Sequence, residues 1–137
     1  YIYIYIYIYI FHYMPVCCYL SDGSDVNQTP LLWVNESQPA TMSCNHTKDI
    51  NHNQMYWYQQ LPGQNMKQIV FTTAYSHQYE QGFNKEKFPA EKKDAQTGSL
   101  TVNNSQPEDS GVYFCAVSKH SDAADKQSCT KTQMLLL

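Results

Sequence analysis

Apolar and polar residues alternate along several short stretches of this chain, and the period is that of half-buried strands. Ala40-Thr41-Met42-Ser43-Cys44 puts Ala40, Met42 and Cys44 on one face, and Ser99-Leu100-Thr101-Val102 repeats the pattern. Met55-Tyr56-Trp57-Tyr58-Gln59-Gln60 predicts a central strand, and Lys67 to Thr72 another. Val26 to Trp33 predicts a first edge strand, and Lys87-Phe88 opens one that ends in the charged bend at Glu91-Lys92-Lys93-Asp94. Between these lie segments of loop chemistry. Asn45 to Gln54 and Thr73 to Gln78 are polar, and Leu61-Pro62-Gly63-Gln64 carries Pro and Gly at turn positions. Ser105-Gln106-Pro107-Glu108 fits a capping box, which predicts one helical turn before Asp109. Lys87 is placed to pair with Asp109 across the bottom of the fold. The expectation is an all-β domain in which Trp57 faces the core, so that Tyr56, Tyr58, Gln60 and Phe114 face away from it.

Composition narrows the function. The 137 residues carry a net charge of −3 with 15% charged side chains, so no basic field suggests nucleic acid. Asn-x-Ser/Thr sequons begin at Asn27, Asn35, Asn45 and Asn103, the acceptor pattern of secreted or cell-surface proteins. His46, His52 and His77 are scattered through polar segments without metal-ligand spacing, and no nucleophile elbow or phosphate-cradling glycine loop occurs. Neither an enzyme nor a cofactor site is expected. The opening Tyr-Ile repeat, Tyr1 to Ile10, is what a TA dinucleotide repeat encodes in frame. Residues 1–21 are therefore expected to be intron or leader read-through, outside the fold.

The spacing of Cys44, Trp57 and Cys115, with Tyr113 two residues before the second cysteine, resembles the immunoglobulin β-sandwich. Met55-Tyr56-Trp57-Tyr58-Gln59-Gln60, Gln64-Asn65-Met66-Lys67-Gln68-Ile69 and Gln106-Pro107-Glu108-Asp109-Ser110-Gly111-Val112-Tyr113-Phe114-Cys115 extend the likeness to the V-set and, within it, to T-cell receptor beta variable segments. The resemblance implies a Greek-key sandwich over residues 22–119, a disulfide between Cys44 and Cys115, and a core built on Trp57 and Tyr113. Closing a loop of 71 residues would remove unfolded-state entropy worth about 4 kcal/mol. Tyr58, Gln60, Met66 and Phe114 match the positions that pair with an alpha-type variable domain. Lys48, Asp49, Asn51, His52 and Asn53 match the first antigen-contacting loop, Tyr75, Ser76 and His77 the second, and Ala116, Val117 and Ser118 the start of the third. The implied ligand is a peptide bound to a major histocompatibility molecule. The implied location is the extracellular side of the plasma membrane, with signalling left to other subunits.

The family's last strand carries a Phe-Gly-x-Gly motif, and that motif is absent after Lys119. His120-Ser121-Asp122 and Thr130-Lys131-Thr132 are codable as CACAGTG and an A-rich nonamer. The two leftover bases and the seven codons 123–129 between them make 23 nucleotides. Residues 120–137 are thus expected to be the read-through of a recombination signal, disordered, behind a germline, unrearranged segment whose joining strand is missing. Two other readings stand beside this one: a non-rearranging V-set receptor or adhesion domain, and a non-productive conceptual translation.

Overall fold

The computed structural model describes residues 25–119 together with Cys129 and Thr130. The expectations for residues 1–21, and those for 120–137 apart from these two, lie outside the described residues. The strands are β1 (Val26–Gln28), β2 (Ala40–His46), β3 (Gln54–Gln60), β4 (Lys67–Thr72), β5 (His77–Tyr79), β6 (Ala90–Lys92), β7 (Thr97–Val102), β8 (Val112–Ser118) and β9 (Cys129–Thr130). They form two antiparallel sheets, one in the order β1-β2-β7-β6 and one in the order β5-β4-β3-β8-β9.

The inner faces of both sheets supply the core, as alternation requires. Met42, Cys44, Leu100 and Val102 from the first sheet meet Met55, Trp57, Ile69, Val70, Tyr113, Cys115 and Val117 from the second. Cys44 and Cys115 are bridged, joining the sheets through that core. Trp57 stands opposite Cys115 in the β3–β8 ladder. Gly98 lies opposite Cys44, and a Cβ there would sit 2.5 Å from the Met55 sulfur, so only glycine leaves Met55 its place. A second tie between the sheets is polar. The Gln28 amide donates to the Tyr113 carbonyl at 2.7 Å and accepts from the Cys115 N–H at 3.0 Å.

Several boundaries differ from the alternation, each for a local reason. β1 stops at Gln28 because Pro30 has no N–H to continue a ladder. Lys87 and Phe88 lie in a turn held by the Asn84 side chain and carbonyl, and the strand opens only at Ala90, after Pro89. β2 runs two residues past Cys44, and His77 belongs to β5 and not to the second loop. The helical turn is a 3-10 turn, Pro107–Asp109. Its cap is Gln106 where Ser105 was expected, for the Asp109 carboxylate accepts from the Gln106 N–H at 2.8 Å. The Ser105 hydroxyl turns inward to the Val102 carbonyl.

The edge of the second sheet also differs. A two-residue β9 pairs with β8, Ala116 with Thr130 and Val117 with Cys129, where the sequence predicts an unpaired edge. It lacks the Phe-Gly-x-Gly motif of a joining strand.

Candidate recognition surface

The outer face of the five-stranded sheet carries a continuous row of aromatic rings. Phe71 of β4 lies against Tyr56 of β3 at 4.8 Å between centroids, Tyr56 lies 6.5 Å from Tyr58, and Tyr58 stacks on Phe114 of β8 at 4.9 Å. The order follows from the ladders. Tyr56 stands opposite Phe71 and Ala116, and Tyr58 opposite Gln68 and Phe114. A β-bulge between Trp57 and Tyr58 sets this register, and it places Ile69 and Val70 together in the core. That bulge turns Phe71 outward beside Tyr56. Phe71 is a member of the row that the sequence reading missed, because alternation through Ile69-Val70-Phe71 gives no sign of the extra residue.

Phe114 does face away from the core cluster, yet it is only 2% exposed, so the expectation of a wet ring is corrected. Tyr58 covers one side of it, and the β8–β9 ladder begins two residues on, at Ala116. Tyr58 is half-buried, and burial first, then Tyr56 and Glu80, raises its phenol above the ordinary tyrosine range, which keeps it a neutral hydrogen-bond donor. Gln60 and Met66 are exposed at the margin of the row. The Gln60 amide reaches only its own turn, donating to the Gln64 carbonyl at 3.3 Å. That turn has the hydrogen bond Gln64 N–H to Leu61 carbonyl and a positive φ at Gly63, the residue that must supply it.

The register brings three loop ends to one end of this sheet. Gln54 at the start of β3 faces Ser118 at the end of β8, Met55 faces Thr72 at the end of β4, and Thr72 faces His77. The Ser118 hydroxyl donates to the Gln54 side-chain carbonyl at 2.8 Å.

In the first loop the Asp49 carboxylate accepts from the Asn51 N–H at 2.8 Å, and that bond chiefly holds it below the usual carboxylate range. His52 Nδ1 lies 3.3 Å from the same oxygen, close enough for attraction when the ring is protonated, though not aligned as a hydrogen bond. Lys48 is anchored 3.2 Å from Asp25, so of the expected residues Asn51 and Asp49 stand out most, with Asn53 and His52 half-buried. Ile50 at the tip is 73% exposed and was not expected there. Its apolar character within a polar run is the signal that marks it.

In the second loop the Thr73 hydroxyl accepts from the N–H groups of Tyr75 and Ser76, and this turn pushes Tyr75 out to 99% exposure. His77 is exposed on β5. The third loop begins later than expected. Ala116 and Val117 are buried strand residues, Val117 in the core opposite Met55 and Ala116 against Tyr56 on the aromatic face, so neither is a loop contact. Ser118, the last of the three, is half-buried.

Among the described residues no group of His, Cys, Asp or Glu is arranged to hold a metal, and no helix is long and apolar enough to cross a membrane. A model of the immunoglobulin V-set domain family matches residues 26–135. The human T cell receptor beta variable 12-5 is 36% identical over 66% of this chain and 78% of its own length. A mouse T-cell receptor beta chain V region, LB2, is 31% identical over 71% of this chain and 70% of its own.

The chain belongs to the V-set family, in its T-cell receptor beta variable branch. Alpha variable segments are similar too: human alpha variable 38-1 is 31% identical over 66% of this chain and 76% of its own length. A solved structure from a study of T-cell specificity and activation by the superantigen toxic shock syndrome toxin-1 superposes with a TM-score of 0.74 at 26% identity, over 81% of this chain and 96% of that one. The V-set variable domains of this branch are receptor recognition domains and not enzymes.

Proposed function

We propose that this V-set segment is the antigen-recognition domain of a T-cell receptor beta-type chain on the outer side of the plasma membrane. It pairs with an alpha-type variable domain through the outer face of β5-β4-β3-β8-β9, and its loop ends contact a peptide held by a major histocompatibility molecule. The observation that carries the reading is the aromatic row Phe71, Tyr56, Tyr58 and Phe114, margined by Gln60 and Met66, on a sheet face that the core does not use. A partner would cover the half-exposed rings of Phe71, Tyr56 and Tyr58 with few charges to desolvate. Ile50 and Tyr75 give the adjoining loop end two exposed apolar side chains amid Asn, Ser and Thr, a composition that suits recognition at low entropy cost.

Coexpression with an alpha-type variable domain of the same genome, followed by sedimentation velocity, tests the pairing. A one-to-one complex is expected, weakened at least tenfold by Tyr58→Ala and by Gln60→Glu. If neither substitution shifts the association, or if no complex forms, the pairing face lies elsewhere.

A further inference from the structure

All four sequons lie on or beside the four-stranded sheet, and none on the sheet that carries the aromatic row. Asn27 of β1 and Asn45 of β2 are direct cross-strand partners, both exposed. Residues so paired have Cβ atoms about 5 Å apart on one face. The β2 and β7 part of that outer face is neutral and hydroxylic, and Glu91 of β6, opposite Ser99, adds an exposed carboxylate at its far side. Thr41, Ser43 and Asn45 on β2 stand opposite Thr101, Ser99 and Thr97 on β7, and the hydroxyls of Thr41 and Thr101 meet at 2.9 Å. Such a face offers a protein partner no apolar anchors and, over β2 and β7, no charge.

We propose that Asn27 and Asn45 form a paired N-glycan site that clothes this face, and that the fold leaves Asn103 bare. Transfer joins the asparagine Nδ2 to the anomeric carbon of an oligosaccharide carried on a lipid diphosphate. The amide gives up one proton, the sugar–phosphate bond breaks, and the lipid diphosphate departs with the electron pair. The nascent chain meets this reaction before its ladders close, so the final structure acts by accommodating or rejecting the product.

At Asn27 and Asn45 the side-chain amides have no hydrogen-bond partner among the described residues, and a sugar there extends into water. At Asn103 the nitrogen that would carry the sugar donates to the Glu86 carbonyl at 2.8 Å. The hydroxyl of its sequon, on Ser105, is part of a residue only 4% exposed and bonds to the Val102 carbonyl. A sugar on Asn103 crowds the contact of that nitrogen with the Glu86 carbonyl beside the β7 end, and chains that bear it are lost from the folded population. Asn35, exposed in the connection from β1 to β2, has no such obstacle.

The full chain, expressed behind a cleavable secretion leader in animal cells, provides the test. The fraction holding the Cys44–Cys115 bridge is analysed by glycopeptide mass spectrometry after isotope-marked deglycosylation. Sugar at Asn27 and Asn45 with Asn103 unmodified is the expected pattern. Asn27→Gln and Asn45→Gln should each remove one glycan from the mass, and Asn103→Gln none. Bridged protein bearing sugar at Asn103, or bare at either Asn27 or Asn45, overturns the proposal.

Discussion

Asp109 is a residue at which several local interactions converge. Its carboxylate lies 2.6 Å from the Lys87 ammonium and accepts from the Gln106 N–H, and its backbone carbonyl accepts the Tyr113 hydroxyl at 2.8 Å. The sequence reading places Lys87 beside it, and the pair's worth depends on burial. An exposed pair contributes about 0 to 1 kcal/mol. Asp109 is only 8% exposed, however, so removing it leaves the half-covered Lys87 ammonium to the Asn104 carbonyl at 3.1 Å and the Gln106 N–H uncapped. Asp109→Ala is therefore expected to lower stability by about 2 to 3 kcal/mol, less than a fully buried pair because the Lys87 side chain keeps some water. Urea denaturation measures this. A loss under about 1 kcal/mol would mean that the pair behaves as a surface pair and that Asp109 caps nothing of consequence.

At the scale of the element, glycine is what lets β7 pass under β3. A Cβ on Gly98 meets the Met55 sulfur at 2.5 Å and the Glu91 carbonyl at 3.1 Å, and Met55 is wholly buried. Gly98→Ala forces Met55 off its rotamer beside the disulfide, at a cost of about 1 to 3 kcal/mol. Thermal unfolding of this variant should show a lowered midpoint, and in a double-mutant cycle with Met55→Ala the two losses should be less than additive. An unchanged midpoint in Gly98→Ala would mean the packing there is loose. Strands that alternate without proline were legible from sequence: Lys67–Thr72 appears with the bounds expected, and the inward set Met42, Cys44, Trp57 and Cys115 follows from parity. What alternation could not reveal were events that break its own period. The bulge that turns Phe71 outward is one, the stops imposed by Pro30 and Pro89 are others, and the buried Ala116 and Val117 reflect a ladder that continues past the second cysteine. Among the expected loop residues, those on polar turns were legible because their side chains bond to their own backbone, as Asp49 and Thr73 do.

For the molecule as a whole, the buried ionisable groups set a pH window. His46 is buried beneath the first loop, with Nε2 at 3.0 Å from the Ala95 carbonyl and Nδ1 without a partner among the described residues. That arrangement suits a neutral ring with its proton on Nε2. Burial pushes its pKa below 6.5, the Ala95 bond opposes this as the next largest effect, and the nearby Lys92 and His52 add smaller lowering effects. The unfolded chain then binds the proton more readily than the folded one, so stability falls as pH drops through 6.5 toward the lowered value. Asp49 and Asp94, held low chiefly by backbone N–H groups, contribute a loss only below 3.8.

On the alkaline side Tyr113, buried between Gln59 and Asp109, is pushed up to about 12, with burial the main cause. Above pH 10 the unfolded chain releases that proton first, and stability falls again, with Tyr58 and Tyr79 acting in the same direction. Lys92 opposes this, because burial lowers its pKa and it regains stability as pH climbs toward 10.5. Tyr113, pushed up to about 12, is displaced furthest of these groups, so the net alkaline slope is downward. A stability profile from urea midpoints should be flat between about pH 6.5 and 10. His46→Gln should remove the acid shoulder below pH 6.5, and Tyr113→Phe should flatten the alkaline limb while lowering the plateau through the lost bond to Asp109. An acid shoulder that persists in His46→Gln would mean that His46 does not set the acid limb.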